Sequence, residues 1–360
     1  MRDFFYTVLL LSFFLSLGIA TESSSSEPDS AAGSGIVSDA DSSKVIVFYL
    51  TNRARLGDQP QEVIYGGYRG IPIFGHCEVE FTPIPIVKDV ASKLPFYLQG
   101  ETDSVKFVEE PNHPQFWIQL DDAVRTNSSE TVVLFIHGYN YNFERACLMA
   151  AQMQRSLEGM TTVIAFSWPS NGLASDYVSD LVDVEWSVPL LTDFISQLSE
   201  RFNSKGVQVV AHSLGSRGAI FALQKLGAQK IEPPVIAKLV LLAPDFDSQT
   251  FVDALPGIKT VAGHITLYAS ANDTPLKLSH QLSGYPRLGE AGDYLTVVEG
   301  VDTIDISSTG RYQITGHEYF RFNPKVVDDL VMLLGHGTHA PMRPGLQPNK
   351  RGGLVFWEAR

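Results

Sequence analysis

Val207-Gln208-Val209-Val210-Ala211-His212-Ser213-Leu214-Gly215-Ser216 is a short apolar run leading into a serine, and Gly218-Ala219-Ile220-Phe221-Ala222-Leu223 behind it continues as a helix that Gly227 can end. Val207 to Val210 have the β-branched, apolar character of a buried strand. A chain that passes from strand to helix this abruptly forces the residue at the tip into a strained backbone conformation. The positions two before and two after that residue must then be small, so that strand and helix can pass each other. Ala211 and Gly215 occupy those positions around Ser213. Alanine stands where glycine is the usual residue, and it meets the same steric demand. A serine pattern this short arises by chance; the strand before it and the helix after it carry the reading of a nucleophile elbow.

The same strand-helix rhythm extends in both directions. Upstream, Val132 to Ile136 reads as a buried strand, and Asn142 or Glu144 opens a helix with Ala146, Met149, Ala150, Met153 and Leu157 at helical spacing. Thr161 to Phe166 is the next strand, and Leu190, Leu191, Phe194, Ile195, Leu198 and Phe202 mark the next helix. Downstream follow strands at Leu239–Ala243, Ile265–Ala269 and Thr303–Ile306. A last helix runs from Pro324 to Leu334, with Asn323 as N-cap and Gly335 as stop. Nearer the start, Val45 to Leu50 reads as a strand ended by a polar turn, Thr51-Asn52-Arg53, with Cys77 to Ile86 as its partner. Between 88 and 130 the signal is mixed, with a helix expected over 116–125. Strands alternating with helices predict a mostly parallel sheet covered on both faces.

The loop Phe135-Ile136-His137-Gly138-Tyr139-Asn140, the segment Phe166-Ser167-Trp168-Pro169-Ser170, the elbow Ala211-His212-Ser213-Leu214-Gly215, the segment Leu242-Ala243-Pro244-Asp245 and the early Thr51-Asn52-Arg53-Ala54 together resemble one group of proteins. They are similar to the bacterial α/β hydrolases of the domain-of-unknown-function 900 (DUF900) family, over roughly residues 44–335. The resemblance implies an α/β-hydrolase fold and an esterase-like activity, without a defined substrate. The stretch between Asp245 and the strand at Ile265 has no room for a large cap domain. The site is therefore expected to be open, or covered only by the loops at 171–183 and 283–300, which suits bulky or surface-presented esters.

A serine hydroxyl is a poor nucleophile at neutral pH and needs a histidine base oriented by a carboxylate. In the α/β-hydrolase fold these follow the serine in the order acid, then histidine. His280, His317, His336 and His339 lie downstream, and His317 is the best placed, in the loop between the last strand and the final helix. The acid is read as Asp273, exposed by the turn Ala271-Asn272-Asp273-Thr274-Pro275 at a strand tip, with Asp245 after the preceding strand as the alternative. Asp245 and Asp247 also suit a helix cap or a brace for the elbow. The oxyanion donors are expected at the backbone N–H groups of Leu214 and Tyr139, with Gly138 freeing the turn between them. His137 reads as a loop brace. Trp168, Tyr139 and Tyr141 are candidates either for a pocket wall or for packing. His336 and His339 lack a nearby carboxylate or cysteine partner, so no metal or other cofactor is expected.

The expected function is therefore a serine hydrolase acting on a small-molecule or lipid-like carboxylic ester through an acyl-enzyme. Acyl transfer or amide cleavage by the same three residues is the alternative within catalysis. A non-catalytic exported binding module on the same fold is the alternative outside it.

The 360 residues, 44% of them hydrophobic, suffice for one large domain with a complete core. A net charge of −13 argues against nucleic acid and anionic membrane surfaces as partners. Residues 1–20, with Arg2, an apolar run from Phe4 and the small residues Gly18-Ile19-Ala20, read as a signal peptide or an uncleaved membrane anchor. Either makes the protein exported, periplasmic or secreted, with membrane contact only through this segment. Residues 21–43, rich in Ser, Asp, Ala and Gly, read as a disordered tether, 44–335 as the hydrolase domain and 336–360 as a Gly/Pro-rich tail. Cys77 and Cys147 could pair only if the fold brings them together. Asn127-Ser128-Ser129 fits a glycosylation sequon in a eukaryotic secretory host.

Overall fold

The computed structural model describes residues 44–57, 65–83, 101–172, 175–229, 234–310 and 315–360. The expected leader and tether lie outside the described residues. The strands are β1 (Lys44–Arg55), β2 (Tyr65–Pro83), β3 (Glu101–Glu109), β4 (Thr131–Ile136), β5 (Thr161–Ser167), β6 (Val207–His212), β7 (Ile236–Leu242), β8 (Ala262–Ala269), β9 (Asp302–Asp305), β10 (Leu346–Arg351) and β11 (Leu354–Ala359). The helices are α1 (His113–Thr126), α2 (Phe143–Ser156), α3 (Tyr177–Trp186), α4 (Val188–Gly206), α5 (Gly215–Ala228), α6 (Ser248–Lys259), α7 (Thr274–Ser283), α8 (Tyr319–Phe322) and α9 (Pro324–Leu330).

All of the strands join one 11-stranded sheet in the order β10-β11-β9-β8-β7-β6-β4-β5-β1-β2-β3. From β1 through β5, β4, β6, β7, β8 and β9 to β11 the neighbours are parallel, and only the pairs at the two margins are antiparallel. This is an α/β-hydrolase fold without a large cap domain: the β7–β8 connection holds only α6 among the described residues.

Side chains alternate across the sheet as a two-residue period demands. Val132, Leu134 and Ile136 of β4 pack on one face with α1, α4, α5 and α6, while Val133 and Phe135 pack on the other with α2 and α9. Asn142 caps α2 by accepting from the Arg145 N–H at 2.8 Å, and Asn323 caps α9 by accepting from the Lys325 N–H at 3.1 Å. The chain leaves β4 toward β5 on one side and returns to β6 on the other, so the strand order reverses between β4 and β6. In open α/β sheets ligands bind at such a switch point.

Several expectations need correction. Thr51-Asn52-Arg53 is no turn: β1 runs through it, and all three side chains are buried. Polarity misled here, because these side chains find buried partners in the loops above the sheet. The region 336–360 is no loose tail, since β11 pairs with β9 and β10 with β11. Its short strands carry mostly exposed, polar side chains in β10, so an edge hairpin resembled a tail. Cys77 on β2 and Cys147 on α2 are both buried free thiols, and the Cys77 thiol points to the Val47 carbonyl at 3.6 Å.

Candidate active site

The elbow has the backbone that its sequence requires. Ser213 has φ of 51°, a left-handed conformation that costs a residue with a Cβ roughly 1–3 kcal/mol unless its surroundings hold it. They do: the Ser213 N–H donates to the Leu242 carbonyl at 2.9 Å, and the Ser213 carbonyl accepts from the Asp245 N–H at 3.1 Å. A Cβ on Gly215 would collide with the His137 and Ile136 carbonyls, so the loop after β4 lies directly on the start of α5. A Cβ on Gly138 would come within 2.8 Å of both the Ser213 Cβ and the His212 Nδ1. Glycine at 138 and 215 therefore allows two loops to meet at the serine. Ser213 is only 4% exposed, so its side chain is recessed. Tyr139 and Tyr177 pack with their rings edge to face, centroids 5.4 Å apart.

Asp273 ends the turn after β8 and caps α7, its Oδ1 accepting from the Leu276 N–H at 3.0 Å. That bond turns Oδ2 toward His317, whose Nδ1 lies 2.7 Å away. A carboxylate oxygen accepts only, so Nδ1 carries the proton and Nε2 is left as the ring's basic nitrogen. The His317 ring in turn packs 4.8 Å from the ring of His212, the residue before Ser213. Burial pulls the His317 pKa down, and the Asp273 carboxylate more than offsets it, so the net shift is upward from 6.5. Burial raises the Asp273 pKa, opposed by the His317 charge and hydrogen bond. His212 is buried and held neutral, its pKa lowered by desolvation and then by His317.

The neighbouring Glu318 anchors the His317 loop. Its carboxylate accepts from the Tyr141 hydroxyl at 2.6 Å and from Arg145. Burial would raise its pKa, but Arg145 first and then Tyr141 pull it below the usual 4.5. Glu318 and Arg145 carry no signal in the sequence, and Tyr141 reads there only as a pocket-wall or packing candidate. Their separation along the chain left no local signal.

Asp245 is fully engaged elsewhere. Its Oδ1 accepts from Arg287 Nε at 2.8 Å and Ser279 Oγ at 2.7 Å, and its Oδ2 accepts from the Tyr177 hydroxyl at 2.7 Å. Asp247 caps α6 through the Thr250 N–H at 2.7 Å. Of the other histidines, His280 pairs with Glu290 at 2.9 Å, and His339 packs on His264, which pairs with Asp302 at 3.0 Å. Trp168 and Tyr141 are buried and clamp the His137 ring between them, at 4.8 and 5.5 Å with interplanar angles of 11° and 7°. Both pack around that ring. Among the described residues no group of three or more His, Cys, Asp or Glu is arranged to hold a metal ion, and no helix is long and apolar enough to cross a membrane.

The family model described as "Alpha/beta hydrolase of unknown function (DUF900)" matches residues 114–336. A curated relative, the uncharacterized protein alr1448 of Nostoc sp., is 28% identical over 127 residues, covering 28% of this chain and 33% of its own. Among solved structures, lipase B of Aspergillus fumigatus is similar at a TM-score of 0.38 and 15% identity, covering 59% of this chain and 54% of its own. A hyperthermophilic esterase from Pyrobaculum calidifontis is similar at a TM-score of 0.35 and 11% identity, covering 72% and 85%. The match thus spans a third of the curated relative and about half of the lipase.

Proposed function

The chain belongs to the DUF900 family of α/β hydrolases, and from that premise we propose that it is a serine hydrolase cleaving carboxylic esters through an acyl-enzyme. The observation that carries the reading is the 2.7 Å hydrogen bond between Asp273 and His317, beside a serine held at positive φ on a strand-to-helix turn. In this reading Ser213 is the nucleophile, His317 the general base and Asp273 the acid that orients it.

His317 Nε2 takes the proton from the Ser213 hydroxyl as the oxygen attacks the ester carbonyl. Asp273 keeps the proton on Nδ1 and stabilises the imidazolium that forms. The oxyanion collects on the Leu214 and Tyr139 N–H groups, each such donor being worth about 3–4 kcal/mol of transition-state stabilisation. His317 then protonates the leaving alkoxide. A water activated by the same nitrogen attacks the acyl-enzyme and frees the acid and Ser213.

Labelling of the protein with a fluorophosphonate, followed by peptide mapping, tests this. Labelling at Ser213 that is lost in Ser213→Ala and in His317→Ala supports the reading. A folded protein that takes no label and cleaves none of a panel of acyl esters overturns it.

A further inference from the structure

Arg53 lies near the end of β1, is 1% exposed, and forms no ion pair with any described residue. All five N–H donors of its guanidinium are nevertheless accounted for. Nε donates to the Ser167 Oγ at 2.8 Å. Nη1 donates to the Ser170 carbonyl at 2.7 Å and the Gly66 carbonyl at 3.2 Å. Nη2 donates to the Tyr141 carbonyl at 2.7 Å and lies 3.3 Å from His137 Nε2. Burial lowers its pKa to about 9, partly countered by the Asp180 carboxylate, so it remains a cation at neutral pH.

This arrangement sets the proton on His137. The ring is fully buried, and desolvation followed by the Arg53 charge holds its pKa well below 6.5, so it is neutral with one N–H. Nδ1 lies 2.8 Å from the Gly138 carbonyl, and Nε2 lies 3.2 Å from the Trp168 carbonyl. The Trp168 carbonyl already accepts from the Ser170 N–H at 2.8 Å. The second Nη2 hydrogen of Arg53 calls for a lone pair at Nε2. The proton therefore sits on Nδ1 and is donated to Gly138. In the other tautomer two donors would oppose each other at Nε2, and two lone pairs would oppose each other across 2.8 Å at Nδ1.

The Gly138 carbonyl and the Tyr139 N–H belong to one planar trans peptide and point in opposite directions. We propose that Arg53 and His137 are positioning residues. Arg53 fixes the His137 tautomer, His137 holds the Gly138 carbonyl, and the peptide so held turns the Tyr139 N–H toward the oxyanion formed at Ser213. Stacking between Trp168 and Tyr141 keeps the imidazole plane in place, and the Trp168 Nε1–H holds the His137 carbonyl at 2.8 Å. The relay rests on the proposed esterase reading, which it supplies with one of its two oxyanion donors.

Two measurements on the full chain test it. Nitrogen NMR of ¹⁵N-histidine protein, with His137→Phe providing the assignment, is expected to show the Nδ1–H tautomer at His137 and a shift toward Nε2–H in Arg53→Met. His137→Phe, which keeps the aromatic stack, is expected to lower kcat on an activated acyl ester about 100-fold with KM within about twofold, because an oxyanion donor acts on the transition state. Should Arg53→Met fail to fold, the wild-type tautomer and His137→Phe still decide. An Nε2–H tautomer in the wild type, or a folded His137→Phe with unchanged kcat, overturns the relay. A wild-type protein without esterase activity or serine labelling sinks the esterase reading instead, while the tautomer still reports whether Arg53 governs His137.

Discussion

The turns after β7 and β8 each carry a buried carboxylate at a strand tip, Asp245 and Asp273, yet their surroundings put them to different uses. Around Asp245 every contact is a donor of fixed character: Arg287, Ser279 and Tyr177 engage both oxygens, and the group acts as a structural hub beneath the elbow. Around Asp273 the capped helix uses one oxygen and leaves the other for His317, a partner that can change its charge. Burial and position at a strand end thus do not single out a catalytic acid. What distinguishes the two is whether the partner can exchange a proton.

The sharpest way to break this contrast is substitution at the two sites. Asp273→Asn is expected to lower kcat about 10⁴-fold, since the amide favours the wrong histidine tautomer, with little change in melting temperature. Kinetics with a chromogenic ester beside a thermal melt would show it, and a loss of tenfold or less would remove Asp273 from the proposed mechanism. Asp245→Ala should behave in the opposite way. It leaves the buried Arg287 unpaired, for a loss of about 3–5 kcal/mol in stability, while the chemistry of surviving folded protein falls far less. Equal kinetic losses at the two positions would erase the distinction.

The pH profile refines it further. His317 must be neutral to act as a base, and its pKa is raised above 6.5. Activity is therefore expected to fall as pH drops through a midpoint above 6.5, and a midpoint below 6.5 in kcat/KM would contradict the pairing. The corresponding stability contribution has the opposite trend, being fully present below the unfolded pKa and lost as pH rises through the folded one.

The smallest expected effect is at Glu318, which anchors the histidine loop without touching Asp273. Its lowered pKa means that it adds stability above about 4.5, lost as pH falls through its depressed folded value. Glu318→Gln should cost about 1.5–3 kcal/mol at neutral pH, and the gap from wild type should close as pH falls through the depressed Glu318 value. Acid titrations of denaturant midpoints in the two proteins would reveal a constant gap if Glu318 were not ionised in the fold.

Much of this was legible in the chain because its signals are local. A continuous apolar, β-branched run marks β4, β5 and β6, a small residue two positions to each side of Ser213 marks the strained turn, and Asn142 and Asn323 mark helix starts. The helices α3 and α7 carry no such signal, α6 only its cap at Asp247, and the hairpin of β10 and β11 none, because its largely exposed strands lack the alternation that signals burial.

The sequence by itself determined the strands, the elbow and the small set of histidines and aspartates from which a site could be drawn, since each depends on neighbours a few residues away. Only the tertiary structure decided which aspartate faces His317, 44 residues further along, and that Arg53 reaches Ser170, 117 residues away. Partner choice depends on how loops at the ends of different strands converge over the sheet, and no local pattern encodes that convergence. In a buried site, most donors need an acceptor within about 3 Å. The fold supplies those acceptors from distant segments, and their identity makes one carboxylate a brace and leaves the other facing a base.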